Sequence, residues 1–128
     1  MYGQIKIQIM IIEKEVSEIL QRELPEINIE LEKLYEGATI YKTMECFVEY
    51  TKRLITQGMF NKVKDCFRLA ERMLAEGNYT VKNAIENVYV YSLGIVLELS
   101  ASTSNTLKES FNGTLRREYY RQVCASGK

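Results

Sequence analysis

Histidine is absent from this chain of 128 residues, and aspartate occurs only once, at Asp65. Without histidine, the chain lacks the usual general base of serine and cysteine hydrolases and the commonest nitrogen ligand of zinc and copper. A single aspartate also excludes a metal site built on two aspartates. We therefore predict no catalytic residue, no metal-ligand set and no cofactor, and we expect the protein not to be an enzyme.

Cysteine is scarce as well, and the three residues Cys46, Cys66 and Cys124 share no C-x-x-C spacing. A structural zinc site is typically built from cysteine pairs at short spacing, which this chain does not have. A helical hairpin turning at residues 58–59 would offset Cys46 from Cys66 by roughly 7 to 8 Å along the helix axes. That offset exceeds the ~4.4 to 6.8 Å Cα separation of a disulfide. We expect buried, reduced thiols and a cytoplasmic protein.

Proline and glycine are too few for a protein made of strands and turns. Pro25 is the only proline, and there are seven glycines, a composition typical of helical chains. No glycine is followed by Lys and Ser or Thr, so a phosphate-binding loop is not predicted. Gly94 lies inside an apolar helix, where it costs ~1 kcal/mol relative to alanine, and we therefore expect a close helix crossing there.

An excess of charge of one sign is also missing, because 17 basic and 17 acidic residues cancel. We expect no nucleic-acid partner and no attraction to an anionic membrane. No apolar run approaches the ~20 residues that span a bilayer. Residues 1–12 are apolar but lack the basic start and the cleavage site of a signal peptide. Their pattern fits a helix or a strand, because Ile5, Ile7 and Ile9 alternate.

What the chain does contain is apolar residues at helical spacing. This spacing predicts a single all-α domain over residues 1–128, an orthogonal or hairpin-stacked bundle of about six helices. The predicted helices cover residues 8–23, 27–37, 39–58, 60–77, 80–100 and 114 onward, with a loop at 100–105. The segment 80–100 is apolar around most of its circumference, which predicts a central helix with neighbours on several sides.

The middle of the chain, residues 44–77, resembles one tetratricopeptide repeat. The turn glycine and the second-helix positions of such a repeat are matched by Gly58, Phe60, Val63, Phe67 and Ala70. The resemblance implies a central helical hairpin that turns near Gly58. Such hairpins bury one face against neighbouring helices and use another face to bind a partner.

A larger part of the chain resembles an uncharacterised family of small bacterial all-helical proteins. The residues that carry this resemblance are Cys66-Phe67, Gly77-Asn78, the run at 81–91 and the segment at 115–122. The resemblance implies an all-helical domain of bacterial type. It brings no activity, cofactor or site residue.

Our leading functional prediction is a non-catalytic protein-interaction module, of the adaptor or partner-neutralising type. The candidate partner face is the basic side of the hairpin, which consists of Lys52, Arg53, Lys62, Lys64, Arg68 and Arg72. A basic face favours an acidic protein partner.

The alternative is a small-ligand-binding or catalytic helical bundle. Its polar pocket would be formed by Asn83, Glu86 and Asn87, which lie on one face of an otherwise apolar helix. Self-association through exposed tyrosine and phenylalanine side chains is a further alternative. The sequence names no partner, ligand or pathway.

Overall fold

A computed structural model describes residues 10–99 and 101–125 of the protein. In this part of the chain the architecture is all-α, as predicted. The elements are α1 (Glu13–Glu23), a 3₁₀ turn (Pro25–Ile27), α2 (Asn28–Leu31), α3 (Ile40–Thr56), α4 (Phe60–Glu76), α5 (Tyr79–Ala84), a π-helical segment (Ile85–Val90), α6 (Tyr91–Leu99), α7 (Ala101–Lys108) and α8 (Gly113–Ala125). Their buried apolar side chains form one continuous core.

The central hairpin of α3 and α4 confirms the predicted turn near Gly58. The Thr39 hydroxyl accepts a hydrogen bond from the backbone N–H of Lys42 and caps the start of α3. Gly58 has a φ of +72°, a conformation that glycine adopts without steric cost. Both helices bury one stripe: Phe47 and Leu54 of α3 and Val63 and Ala70 of α4 are fully or almost fully buried.

The first helix begins later than predicted, at Glu13 instead of Gln8. Ile11 is instead held in an extended conformation. Its backbone N–H donates to the carbonyl of Glu76, at 2.9 Å, and its carbonyl accepts from the N–H of Asn78, at 2.8 Å. These bonds join the start of the described chain to the turn between α4 and α5. Residues 1–9, where the strand alternative falls, lie outside the described part.

The predicted helix at 27–37 is wrong in its second half, because α2 ends at Leu31. After Leu31 the backbone closes into tight turns, in which Lys33 bonds back to Glu30 and Leu34 to Leu31. The side chains of this stretch are mostly exposed, so little apolar burial rewards further helical turns.

The long segment after Gly77 forms a continuous helical rod made of α5, the π-helical segment and α6. The rod is central, as predicted, because its π-helical segment packs against α3, α4 and α8, but α6 is covered on only some of its sides. The side chains of Tyr91 and Ile95 are 60% and 49% exposed. Neighbouring helices therefore cover only part of a helix that is apolar on most sides.

The loop predicted at 100–105 is wrong for the described residues, since α7 spans Ala101–Lys108. Its polar sequence has weak helix propensity, but Leu107 and the following Phe111 are fully buried in the core. The Phe111 ring contacts the Phe67 ring edge-on, with centroids 4.8 Å apart. Tertiary burial of this kind routinely overrides local propensity.

The last helix, α8, confirms the helix predicted from about Thr114. Leu115 and Tyr119 are buried, and Val123 packs against the core. The helix is held at its start by α4, because Glu71 Oε1 accepts a hydrogen bond from the backbone N–H of Leu115, at 2.5 Å. A carboxylate at this position complements the positive end of the helix dipole.

Candidate functional site: a charged groove beside the central hairpin

The predicted basic face is divided between two parts of the surface. Lys52 and Lys62 form ion pairs with Glu49 and Glu26, at 3.5 and 2.9 Å. Glu26 belongs to the 3₁₀ turn before α2, so Lys62 helps to fasten this segment onto the hairpin. Lys62 is therefore engaged across the fold, whereas Lys52 pairs only with an exposed carboxylate of its own helix.

Arg53 makes the strongest of these attachments. Its guanidinium contacts both carboxylate oxygens of Glu30, with N–O distances of 2.8 and 3.1 Å, and donates to the Glu26 carbonyl at 3.3 Å. The Glu30 side chain is only 8% exposed. A bidentate pair with a buried carboxylate is a structural link between α2 and α3 and is unavailable to a partner.

Arg68 and Arg72 differ from Arg53, because they pair with exposed carboxylates of their own helix. Arg68 pairs with Asp65, and Arg72 Nε lies 3.4 Å from Glu76 Oε1. Exposed pairs at this helical spacing contribute about 0.3–0.5 kcal/mol, so these arginines can change partner at low cost. Lys64 has no ion pair within the described residues.

Two adjoining depressions between α1 and α4 share Arg72, and we call them together the α1/α4 groove. The larger has a volume of about 400 Å³ and is lined by Glu23, Leu24, Asp65, Arg68, Leu69 and Arg72. The smaller has a volume of about 270 Å³ and is lined by Met10, Ile11, Glu15, Glu18, Ile19, Arg22, Arg72 and Glu76. Volumes of this size are typical of binding clefts.

The two walls of the α1/α4 groove differ in charge. The α1 wall carries Glu15, Glu18 and Glu23 with Arg22 as its one basic residue, while the α4 wall carries Arg68 and Arg72 together with their ion-pair partners Asp65 and Glu76. The leucine and isoleucine side chains at the base of the groove belong to the core and are almost fully buried, so most of the exposed lining is polar. The groove can therefore contact charges of both signs.

The predicted polar pocket is not a single cluster in the structure. Asn83 donates to the Tyr41 hydroxyl at 2.8 Å, and Asn87 donates to the Asn83 side-chain oxygen at 2.6 Å. Glu86 instead lies beside α8, where Gln122 donates to its backbone carbonyl at 2.8 Å. The π-helical segment contributes to this separation, because it changes the angular spacing of residues 85–90 from that of an α-helix.

Glu86 and Glu118 show opposite pKa shifts at this contact. Burial raises the pKa of Glu86 above its usual value, and the negative charge of Glu118 raises it further. The hydrogen bonds from Arg121, and to a lesser degree from Gln122, lower the pKa of Glu118. Glu86 has no ion pair within the described chain. The two carboxylates carry the same charge, so the contact that ties α8 to the rod is made by Gln122, which donates both to the Glu86 carbonyl and to Glu118.

Cys66 lies in a buried cluster that the sequence analysis did not identify. Thr51 Oγ1 lies 2.9 Å from the Tyr89 hydroxyl and donates to the Phe47 carbonyl at 2.9 Å, while the Tyr89 ring stacks on the Phe47 ring with centroids 4.2 Å apart. Burial raises the pKa of Cys66 to about 12. The thiol is therefore protonated at neutral pH and is a poor nucleophile.

The described residues provide neither a cluster of metal ligands nor a membrane-spanning helix. Among residues 10–99 and 101–125, no three His, Cys, Asp or Glu side chains are grouped so that they could hold a metal ion. In those ranges no helix combines the length and the apolar character needed to cross a membrane.

Fold and surface together define a small all-α domain with an open, charged groove. Residues 17–125 match the family described as "Domain of unknown function (DUF7674)", and the chain belongs to this family. This match confirms the prediction of an uncharacterised all-helical family. No curated protein and no solved structure matches the chain.

Proposed function

We propose that the protein is a helical protein-interaction module that binds its partner in the α1/α4 groove. The observation that carries this proposal is the groove of about 400 Å³ whose α4 wall presents Arg68 and Arg72. These two arginines are the members of the predicted basic face that line the groove. The charged walls supply specificity, and the exposed side chain of Met10 offers apolar contact area at one end of the groove.

The charges of the two walls indicate the chemistry of the partner. A docked helix would present carboxylates to Arg68 and Arg72 in exchange for Asp65 and Glu76, which is the contact expected of an acidic partner. Its opposite flank would face the glutamates of α1 and should carry lysine or arginine. The partner segment is therefore an amphipathic helix with an apolar stripe, an acidic edge and a basic edge.

The state of the cysteines indicates the compartment in which the protein works. Cys46 and Cys66 are free and buried, a state that suits a reducing compartment. We propose a cytoplasmic protein of bacterial type that acts as an adaptor or neutralises its partner. The alternative of a ligand-binding or catalytic bundle near Glu86 stays a prediction, and the residues that would form its pocket face two different parts of the surface.

Affinity capture from the cell of origin tests the groove. The bait is the full chain, compared with the double variant Arg68→Glu/Arg72→Glu. We expect proteins retained by the native chain to lose at least about tenfold in recovery with the variant, because reversed charges repel the partner's carboxylates.

A matched control makes the comparison specific. The variant Lys33→Glu/Lys42→Glu changes the net charge by the same amount at exposed positions that do not line the α1/α4 groove. The control should retain the same proteins as the native chain. Equal recovery with all three baits, or equal losses with both variants, would overturn the proposal.

A further inference from the structure

The segment that leads into α8 contains an Asn-Gly pair, Asn112-Gly113, and no other asparagine of the chain is followed by glycine. Both residues are exposed. The backbone nitrogen of the residue after an asparagine can attack the side-chain amide carbon of that asparagine, and glycine hinders this attack least because it has no side chain. The pair is therefore a candidate for covalent change, and its surroundings decide whether the two atoms are free to meet.

The Asn112 side chain is not used as the cap of α8. An asparagine immediately before a helix usually accepts a hydrogen bond from the backbone N–H of the second or third helical residue. In α8 the third residue is Leu115, and its N–H donates instead to Glu71 Oε1 of α4, at 2.5 Å. Within the described chain the Asn112 side-chain amide has no hydrogen-bond partner. Glu71 thus caps the helix and leaves the Asn112 side chain free to rotate.

Gly113 is required by the same contact. Its φ is +50°, and a Cβ atom there would lie 2.6 Å from Glu71 Oε2. No side chain therefore shields the Gly113 nitrogen, and its N–H makes no backbone hydrogen bond in the described chain. Gly94 differs, because a Cβ atom there would meet only Tyr119 Cε1, at 3.8 Å, an ordinary van der Waals contact. The predicted close helix crossing at Gly94 is therefore wrong within the described chain.

Asn78 shows the opposite state of an asparagine that precedes a helix. It stands immediately before α5, and its side-chain oxygen accepts from the N–H of Val81 at 3.0 Å. Its side-chain nitrogen donates to Glu13 Oε1 at 2.8 Å. These two bonds hold the Asn78 amide in place, whereas no bond to a described residue holds that of Asn112.

We propose that Asn112 is a site of spontaneous deamidation. The Gly113 nitrogen, after losing its proton to solvent base, bonds to the Asn112 side-chain carbonyl carbon, and the side-chain nitrogen leaves as ammonia. Water then opens the resulting cyclic imide at one or the other of its carbonyl carbons. One opening yields aspartate, and the other yields isoaspartate, whose main chain runs through the former side chain. Water is the only co-reactant, and the net change converts an amide and water into a carboxylate and ammonium.

The change bears on the attachment of α8. Each product places a carboxylate next to Gly113, against which the Glu71 carboxylate lies, and isoaspartate also lengthens the main chain by one atom. Repulsion between like charges and displacement of the first turn should weaken the hydrogen bond between Glu71 and Leu115. This inference does not rest on the α1/α4 groove, whose lining includes none of these residues.

Ageing of the full chain in mildly alkaline buffer, folded and in parallel unfolded in guanidinium chloride, tests the site. Mass spectrometry follows the tryptic peptides 109–116 and 73–82, whose single asparagines are Asn112 and Asn78. We expect Asn112 of the folded chain to react within about tenfold of its unfolded rate and Asn78 to be slowed by more than that, because only Asn78 is held by its cap. An Asn112 that the fold protects as strongly as Asn78 would overturn the proposal.

The variant Asn112→Ser is the matched control, because serine also caps helices and has no amide to lose. After the same ageing, the native chain should be labelled by an isoaspartate-specific methyltransferase and should unfold at a lower urea concentration than the fresh chain. Asn112→Ser should keep its urea midpoint. A native chain that is modified at Asn112 but retains its urea midpoint would overturn the effect on α8.

Discussion

The α1/α4 groove differs in surface character from a trough of about 180 Å³ between α6 and α8. The groove has two charged walls, and its arginines can change ion-pair partners because they pair with exposed carboxylates. The trough has the exposed apolar side chains of Tyr91 and Ile95, and Glu98 is the charged residue in its lining. The first suits a partner selected by charge, and the second suits a contact dominated by burial.

The contrast also shows that the sequence alone does not tell whether a charged side chain is free to bind a partner. Arg53 and Arg68 are both basic positions of the same hairpin, yet Arg53 is locked to the buried Glu30 while Arg68 pairs only with the exposed Asp65. Arg53 differs from Arg68 in availability because α2 supplies a buried carboxylate beside α3, and not because of the helices α3 and α4 that carry the two arginines. Three predictions sharpen this view, beginning with the largest expected effect.

The largest effect should come from the arginine that is part of the structure. Arg53→Met should lower the free energy of unfolding by about 3 kcal/mol, because the buried Glu30 carboxylate loses its cation. The matched change Arg68→Met should cost no more than about 0.5 kcal/mol. Urea unfolding followed by circular dichroism measures both. Equal effects of the two substitutions would contradict the division of the basic face.

Gly77, buried in the turn between α4 and α5, and Gly94, on α6, should respond in opposite directions to alanine. At Gly77 a Cβ atom would lie 2.5 Å from both the Met73 carbonyl oxygen and Val81 Cγ1, so Gly77→Ala should destabilise by about 2 kcal/mol. Gly94→Ala should stabilise the monomer by about 0.5–1 kcal/mol through helix propensity.

Thermal unfolding at low protein concentration measures this pair in the monomer. A destabilised Gly94→Ala monomer would mean that α8 lies closer to α6 than described here.

The smallest effect is a pH dependence at the contact of α8 with the rod. The lowered pKa of Glu118 gives stability that is present above the unfolded pKa and is lost as the pH falls through the folded pKa. Glu118→Gln should therefore cost about 1 kcal/mol at pH 7, through its weakened bond to Arg121. The difference from the native chain should shrink between about pH 5 and pH 3.

Glu86 is the matched control, because its pKa is raised. Such a group contributes stability below the unfolded pKa that is lost as the pH rises through the folded pKa. Glu86→Gln should therefore leave the free energy of unfolding at pH 7 unchanged or slightly higher. Urea titrations at several pH values would contradict the assignment if both variants lost stability equally at pH 7.

Local sequence signals predicted the elements whose ends are fixed by local chemistry. Thr39 as a cap, Gly58 as a turn and Pro25 as the stop after α1 each determine their boundary with groups close in the chain. The elements that depend on distant residues were predicted less well. Helix α7 exists because Leu107 and Phe111 reach the core, and Ile11 is extended because its bonds go to residues near Gly77.

The candidate site was predicted only in part, because one of its walls comes from a segment far away in the chain. The basic residues of the hairpin were visible in the sequence, and Arg68 and Arg72 do line a groove. The opposite wall was not predicted, because it is formed by α1, far away in the chain. One available signal was the acidic, exposed side of α1, with Glu15 and Glu18 on one face of an amphipathic helix.

Site-specific photo-crosslinking in the cell of origin tests the central claim, that a partner occupies the α1/α4 groove. A photoreactive residue is placed at Glu23, on the α1 wall, and in a second chain at Glu45, an exposed glutamate of α3 outside the groove. We expect a discrete protein adduct from position 23 that is absent from position 45 and is lost with Arg68→Glu/Arg72→Glu. Adducts of equal yield from both positions, or none from position 23, would contradict the account.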